Sequence, residues 1–264
     1  MIKLISSDID GTLVNEDKQF SPDFGEILEN LRKKGIKFVA ASGRSKYAIE
    51  RIFKQFSADI LYISDNGAFV SGSECEYFTH RMTTEEIDKV MALLLPIKGI
   101  QTVLCGKHKA YFVNLNEDLL KEIVIYYDIY EPVDDYRTIN DDILKIAVYS
   151  SSGSSKNTHE KIKDLLPENL CSVVSSDEWL DIMDKSVTKG AGLEILQKKF
   201  GISYDETMAF GDYFNDIDML KKAKYSFAMA NASDEIKRHC NFIAPDNNNF
   251  GASTMIKKYI FEKN

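Results

Sequence analysis

An apolar stretch near the N-terminus ends on two aspartates and a glycine, and this feature constrains the fold more than any other. Residues 4–7 read Leu-Ile-Ser-Ser, and Asp8, Ile9, Asp10 and Gly11 follow directly. We interpret the stretch as a buried strand that ends in a polar loop. In open α/β sheets ligands gather at the carboxyl ends of strands, so carboxylates at this point suit chemistry. Because an ordinary turn uses the same residue types, this stretch alone leaves both interpretations open.

Strand-like and helix-like segments alternate through the first and last parts of the chain. Apolar runs at residues 36–41, 59–63 and 207–210 predict further buried strands, and a polar loop follows each of them. Apolar residues at helical spacing predict helices between these strands. The alternation predicts an α/β fold with a Rossmann-like, doubly wound parallel sheet and right-handed crossovers.

The middle of the chain has a different pattern. Two short strand-like segments at residues 100–104 and 110–113 have hairpin-like spacing, and further strand-like and helix-like segments continue to residue 183. This mixture predicts an α+β module inserted into the α/β domain. We therefore expect a catalytic core of residues 1–76 and 185–264, and an inserted cap domain of residues 77–184.

Composition and charge exclude several classes of protein. The 264 residues are 44% hydrophobic and 28% charged, which is enough to bury a sizeable core, and the net charge of −8 argues against a nucleic-acid surface. The four cysteines form no CxxC pair, which indicates neither a zinc site nor a disulfide framework. No apolar run is long enough to span a membrane. We expect a cytoplasmic protein, a monomer or weak homodimer, that has no nucleic-acid or membrane partner.

Polar residues at four probable strand ends or helix starts could form one site. They are Asp8 with Asp10, Ser42 with Gly43, Lys189, and Asp212 with Asn215 and Asp216. Each group alone has an ordinary structural explanation: a solvated lysine, a serine N-cap or acidic residues at a helix start. Their order along an α/β chain is the informative feature.

At these positions the chain resembles the haloacid dehalogenase-like (HAD-like) phosphatases, in particular the Cof-type branch with an inserted α/β cap. The resemblance covers nearly the whole chain, and its motifs are residues 8–13 (DIDGTL), 41–44 (ASGR), 65–68 (DNGA), 186–190 (SVTKG), 211–216 (GDYFND) and 228–232 (AMANA). It implies a phosphatase in which the backbone carbonyl of Asp10 contacts the metal ion.

The chemistry of phosphate-ester hydrolysis assigns a role to each group. The reaction needs a nucleophile, a proton donor and neutralisation of the phosphoryl oxygens. We expect Asp8 to form an aspartyl-phosphate, and Asp10, turned by Gly11, to protonate the leaving group and then activate water. We expect Lys189 to keep Asp8 ionised and to stabilise the transferring group.

The metal and the phosphate use the remaining polar groups. Carboxylates on separate loops suit Mg²⁺, which we expect at Asp8, Asp10 and Asp212, with Asp216 behind them. Phosphate-binding residues are predicted to be Ser42, Gly43, Arg44 and Asn215.

The sequence therefore predicts a Mg²⁺-dependent phosphatase for small phosphorylated metabolites, with sugar phosphates as the favoured class. We expect the inserted module to select the substrate and exclude water during transfer. Two alternatives stay open: a sugar phosphomutase on the same fold, in which a bound sugar accepts the phosphoryl group, and a non-catalytic ligand-sensing module.

Overall fold

In the computed structural model, which describes residues 1–56, 59–127, 129–151, 153 and 155–262, the chain divides into two units. Unit 1 comprises Met1–Thr79 and Thr188–Asn264, and unit 2 comprises His80–Val187. The predicted boundaries lay after residues 76 and 184. Positions 57, 58, 128, 152, 154, 263 and 264, which fall inside the predicted domain ranges, lie outside the described residues.

The described residues form strands and helices along the whole chain. The strands are β1 (Leu4–Ser7), β2 (Lys37–Ala41), β3 (Ile60–Ser64), β4 (Phe69–Ser71), β5 (Glu76–Thr79), β6 (Gln101–Gly106), β7 (Ala110–Val113), β8 (Tyr130–Val133), β9 (Ile143–Tyr149), β10 (Leu170–Val174), β11 (Trp179–Asp184), β12 (Thr207–Gly211), β13 (Tyr225–Met229) and β14 (Phe242–Ala244). The helices are α1 (Phe24–Lys33), α2 (Lys46–Phe53), α3 (Thr84–Leu94), α4 (Glu117–Ile123), α5 (Ser155–Ile162), α6 (Lys189–Phe200), α7 (Ile217–Lys221), α8 (Asp234–Lys237) and α9 (Gly251–Ile256). Within the described ranges, none of these helices has both the length and the apolar character that crossing a membrane requires.

Unit 1 is built on one sheet with the strand order β14-β13-β12-β1-β2-β3-β4-β5. The strands from β14 to β3 are parallel, and β4 and β5 add an antiparallel edge. The chain runs from β1 to β2 on one side, whereas β12 pairs with β1 on the other side. The order therefore reverses at β1, and ligands of open α/β sheets bind at such a point.

Both faces of this sheet are buried, because successive side chains of a strand point to opposite faces. Leu4 belongs to one apolar cluster and its neighbour Ile5 to the other. The cluster with Ile5 includes side chains of α1, α2 and α9, and the cluster with Leu4 includes side chains of α6, α7 and α8. The predicted doubly wound α/β architecture is confirmed.

Unit 2 is built on a second sheet, with the order β10-β11-β9-β6-β7-β8. All its strand pairs are antiparallel except β7 with β8. Apolar residues of α3 and α5 pack in the cluster that contains Leu104 and Ile146, and α4 packs in the cluster that contains Val103 and Ala147. Because neighbouring residues of β6 and β9 enter different clusters, helices cover both faces, and the predicted α+β class of the insertion is confirmed.

Candidate active site

Two of the predicted site residues lie side by side where neighbouring strands end. β1 and β12 are parallel partners, and Asp8 follows the first as Asp212 follows the second. The backbone N–H of Asp8 donates to the carbonyl of Phe210 at 3.0 Å, so the pairing of the strands continues to the loop. The sheet therefore brings together two carboxylates that lie far apart in the sequence.

Lys189 enters this edge from the first position of α6. The helix begins after Thr188, whose hydroxyl accepts a hydrogen bond from the backbone N–H of Ala191 at 3.0 Å. Lys189 Nζ donates to Asp8 Oδ1 and to Asp216 Oδ1, each at 2.6 Å, and all three side chains are buried. Although burial lowers the pKa of Lys189, the two carboxylates raise it above its ordinary value, so the ammonium group stays protonated.

Three carboxylates crowd around this single lysine. Oxygen atoms of Asp8, Asp212 and Asp216 all lie within 4.8 Å of one another. Burial raises the pKa of Asp8 well above its ordinary value; Lys189 opposes this rise and the other two carboxylates add to it. Burial also raises the pKa of Asp212 to about 6, although the hydrogen bond from Thr12 lowers this pKa in part. Because one ammonium group does not balance three carboxylates, the site has an excess of negative charge.

This donor set fits a hard divalent cation. Its ligand atoms are carboxylate oxygens, which Mg²⁺ prefers, and a bound cation would neutralise the excess negative charge. Asp216 has both oxygens engaged: Oδ1 accepts from Lys189, and Oδ2 accepts from the backbone N–H groups of Asp212 and Tyr213, each at 3.0 Å. Asp216 therefore holds the loop that carries Asp212.

Gly11 and Thr12 fix the other side of Asp212. Thr12 Oγ1 donates to Asp212 Oδ1 at 2.7 Å. Gly11 has a φ of +80°, and a Cβ at this position would lie 2.4 Å from Asp212 Oδ2. The turn after β1 thus needs glycine for its backbone conformation and for the close approach of this carboxylate.

Asp10 has different hydrogen-bond partners from the three carboxylates of this cluster. Its carboxylate accepts from Arg44 Nε at 2.7 Å, from Arg44 Nη2 at 3.0 Å and from Lys18 Nζ at 2.9 Å. Burial raises the pKa of Asp10, but the hydrogen bonds and charges of Arg44 and Lys18 outweigh burial and lower it to about 2. These contacts favour the ionised form of the residue predicted as a proton donor, and the predicted phosphate ligand Arg44 is hydrogen-bonded to it.

The loop after β2 carries the other predicted phosphate ligands. The backbone N–H of Arg44 donates to Ser42 Oγ at 3.2 Å, and Ser42 is buried. Two backbone hydrogen bonds connect this loop with the turn after β3, from Asp65 N–H to the Arg44 carbonyl at 2.9 Å and from Asn66 N–H to the Ser42 carbonyl at 3.1 Å. Ser42 Oγ is the acceptor in this contact, so its O–H is a donor that the contact does not use.

Asn215 approaches the same turn from the loop after β12. Its Nδ2 donates to Asn66 Oδ1 at 3.1 Å. The site residues thus form three groups: Asp8 with Lys189, Asp212 and Asp216; Asp10 with Arg44; and Ser42 and Gly43 with Asn215, connected through Asn66. All nine predicted residues lie in unit 1.

Several residues that shape these groups have no role predicted from the sequence. Thr12 and Asn66 lie within motifs quoted for the resemblance, so the sequence contained a signal for both. Asn231 lies in another such motif, and its Nδ2 donates to the carbonyl of Gly11 at 2.9 Å. Lys18 lies in none of them and reaches Asp10 only because the chain turns back after β1.

Comparison with known proteins establishes the family. The family model described as haloacid dehalogenase-like hydrolase matches residues 5–256. The chain belongs to this family. The predicted resemblance is thereby confirmed. The match extends over both segments of unit 1 and includes all of unit 2.

Its relatives and structural neighbours include phosphatases that match over nearly their whole length. The 5-amino-6-(5-phospho-D-ribitylamino)uracil phosphatase YbjI of Escherichia coli (strain K12) is 29% identical over 98% of this chain and 96% of its own. The structure of SMU.1108c from Streptococcus mutans UA159 has a TM-score of 0.86 at 27% identity and covers 98% of this chain and 99% of that one. The HAD subclass IIB sugar phosphatase BT4131 has a TM-score of 0.81 at 26% identity, covering 97% and 98%. The predicted enzyme class, a HAD-like phosphatase, is confirmed.

Proposed function

We propose that this HAD-like phosphatase is Mg²⁺-dependent and hydrolyses small phosphorylated metabolites, in particular sugar phosphates, through an aspartyl-phosphate. The observation that carries the proposal is the position of Lys189 Nζ, 2.6 Å from Asp8 Oδ1 and 2.6 Å from Asp216 Oδ1. A buried ammonium group at this distance favours the ionised form of Asp8 against the effect of burial, and it places positive charge where a phosphoryl group would transfer.

The first chemical step uses Asp8 as the nucleophile. A carboxylate oxygen of Asp8 attacks phosphorus, and the bond between phosphorus and the ester oxygen breaks. The leaving alkoxide takes a proton from Asp10. In the second step Asp10 takes a proton from water, the water oxygen attacks phosphorus, and the bond between Asp8 and phosphorus breaks to release inorganic phosphate.

Loss of the Arg44 contact would make the carboxylate of Asp10 easier to protonate and therefore a better proton donor. In the structure Arg44 and Lys18 hydrogen-bond its carboxylate and favour the ionised form. We propose that Arg44 leaves Asp10 for a phosphoryl oxygen when substrate binds, since an arginine fork matches phosphate as well as carboxylate. This exchange reconciles the two roles that the sequence assigned to Arg44 and Asp10 with the contact between them.

The residues that would hold Mg²⁺ are the side chains of Asp8 and Asp212 and the backbone carbonyl of Asp10, with Asp216 fixing the Asp212 loop. The bound ion would supply positive charge to the phosphoryl oxygens. Ser42, Gly43 and Asn215 would hold the remaining oxygens of the phosphoryl group through O–H and N–H donors.

We further propose that residues 77–184 select the leaving group. None of the nine residues with a proposed chemical role lies in this segment, so binding energy from the part of the substrate remote from phosphate would come from it. The class of substrate is supported by the names of two proteins that this chain resembles. One is a sugar phosphatase, and the other acts on a phosphorylated ribitylamino compound.

A phosphate-release assay over a panel of sugar phosphates and nucleotides tests the proposal. We expect release with Mg²⁺, loss of release after chelation, and loss of turnover in the Asp8→Asn variant while the fold is retained. The exposed Asp164→Asn variant is the matched control and should keep wild-type rates. Release by Asp8→Asn, or by chelator-treated wild-type protein, would refute the nucleophile or the metal requirement. An isomeric sugar phosphate as the product would instead indicate the phosphomutase.

A further inference from the structure

The turn after β3 has an unusual backbone. Asp65, Asn66 and Gly67 have φ values of 49°, 58° and 109°, so three consecutive residues adopt the left-handed region. Asp65 and Asn66 are buried. Asparagine tolerates this conformation better than most residues, and this tolerance alone would explain its presence at position 66.

The contacts of the Asn66 side chain go beyond that explanation. Its Oδ1 accepts from Asn215 Nδ2 at 3.1 Å. On the other side the amide group packs against Gly43, because a Cβ on Gly43 would lie 3.1 Å from Asn66 Oδ1 and 3.3 Å from Nδ2. The amide thus lies between two groups to which we assign phosphate binding.

The backbone of Asn66 holds the same loop. Its N–H donates to the carbonyl of Ser42 at 3.1 Å, and the preceding N–H, that of Asp65, donates to the carbonyl of Arg44 at 2.9 Å. Gly67 completes the turn at close range, since a Cβ there would lie 2.2 Å from the carbonyl oxygen of Thr188, the residue before Lys189. One turn therefore contacts the Ser42 loop, the Asn215 loop and the start of α6.

We infer that Asn66 is a positioning residue for phosphoryl transfer: its side-chain amide orients Asn215 and fixes its distance from the Gly43 loop. This inference rests on the proposed function, since it concerns the same phosphate site. Partners that orient the groups of a site typically contribute 10–100-fold to its affinity or activity.

The Asn66→Gly variant separates the two explanations. Glycine adopts the left-handed backbone without strain and keeps the N–H bonded to Ser42, so only the amide is removed. We expect kcat/KM for p-nitrophenyl phosphate with Mg²⁺ to fall about 10–100-fold, and the inhibition constant for inorganic phosphate to rise several-fold. The matched control is Asn114→Gly, which replaces another left-handed, exposed asparagine of this chain and should leave both constants unchanged.

A second variant tests the direction of the effect. Asn66→Asp keeps an oxygen acceptor for Asn215 but places a negative charge beside Gly43. The inhibition constant for phosphate should therefore rise more in this variant than in Asn66→Gly. In a double-mutant cycle of Asn66→Gly with Asn215→Ala, the losses in kcat/KM should be strongly non-additive, because each change breaks the same Asn66–Asn215 contact.

The outcomes distinguish this inference from the proposed function. If the wild-type protein neither hydrolyses phosphate esters nor binds phosphate, the proposed function fails and the inference fails with it. If the wild type is active and Asn66→Gly matches it in kcat/KM and phosphate inhibition, the inference alone is overturned. Additive losses in the double-mutant cycle would also overturn it.

Discussion

Replacing Lys189 by methionine should reduce both the stability and the activity of the enzyme. Methionine fills a similar space but removes the ammonium group that contacts Asp8 and Asp216. Both carboxylates would stay buried without their cation, and the third carboxylate of the cluster, Asp212, would remain nearby. The change therefore leaves uncompensated negative charge in a site from which water is largely excluded.

The magnitude follows from the burial of the pair. Removing one partner of a buried ion pair typically costs about 3–5 kcal/mol, because the other charge remains desolvated. For domains of about 150–250 residues, each kcal/mol shifts the melting temperature by about 2–4 °C. The expected decrease for Lys189→Met is therefore roughly 6–20 °C. Turnover should be lost, because the group that would stabilise the transferring phosphoryl group is absent.

Thermal unfolding in the presence of a chelator measures the first effect, and phosphate release with Mg²⁺ measures the second. The control is Lys198→Met on the same helix, whose ammonium group pairs with Glu194 at the surface with 75% of the side chain exposed. That pair contributes at most about 1 kcal/mol, so the control should melt within a few degrees of the wild type. If both variants melt alike, or if Lys189→Met keeps wild-type turnover, the role argued here for the buried lysine is wrong.

Three other changes have defined outcomes. Gly11→Ala should lower kcat by at least about tenfold and weaken activation by Mg²⁺, because the new Cβ would lie 2.4 Å from Asp212 Oδ2 and displace that carboxylate; unchanged activation by Mg²⁺ in a titration would contradict this. Lys198 and Lys222 lower the pKa of Glu194 from 4.5 to about 2. Because the pKa of Glu194 is lower in the folded state than in the unfolded state, its contacts stabilise the fold above about pH 4.5, and this stabilisation is lost as the pH falls through about 2. Glu194→Gln should therefore lower the melting temperature at pH 7 and have no effect near pH 2. An equal decrease at both pH values would exclude this contact as the cause. Exchanging residues 77–184 for the segment of a relative with another substrate should transfer the order of kcat/KM values over a panel of esters; an order that stays with the host chain would contradict the proposed division of labour.

The sequence predicted the parallel sheet because its strands are short apolar runs that end on polar loops. This pattern can be recognised without any information on tertiary contacts. It did not predict β4, which has only three residues and pairs with β3 immediately after a tight turn. This strand was missed because it is short and local propensity is weak there, so packing decides.

The candidate site shows the same limit. The sequence predicted one site that contains Asp8, Lys189 and Asp212, because strand ends and helix starts lie at the same edge of the sheet. The contact of Lys18 with Asp10 and the amide pair of Asn66 and Asn215 depend on how loops fold back on one another. The residues in such contacts do not recur at regular intervals in the sequence. Helical or strand-like periodicity therefore cannot predict these contacts.

The pairing of β1 with β12 has a consequence for how the enzyme is made. Leu4 lies opposite Thr207, so β1 lacks one of its two neighbours until the residues up to β12 have left the ribosome. The strands of unit 2 pair only with one another and can form earlier in synthesis, as domains generally fold as units. During translation β1 therefore has one unpaired edge until β12 is synthesised. An unpaired, apolar strand edge makes the nascent chain prone to aggregate. The carboxylates of Asp8 and Asp212 come together only when β12 has paired with β1, so chains that end before Thr207 should have no phosphatase activity.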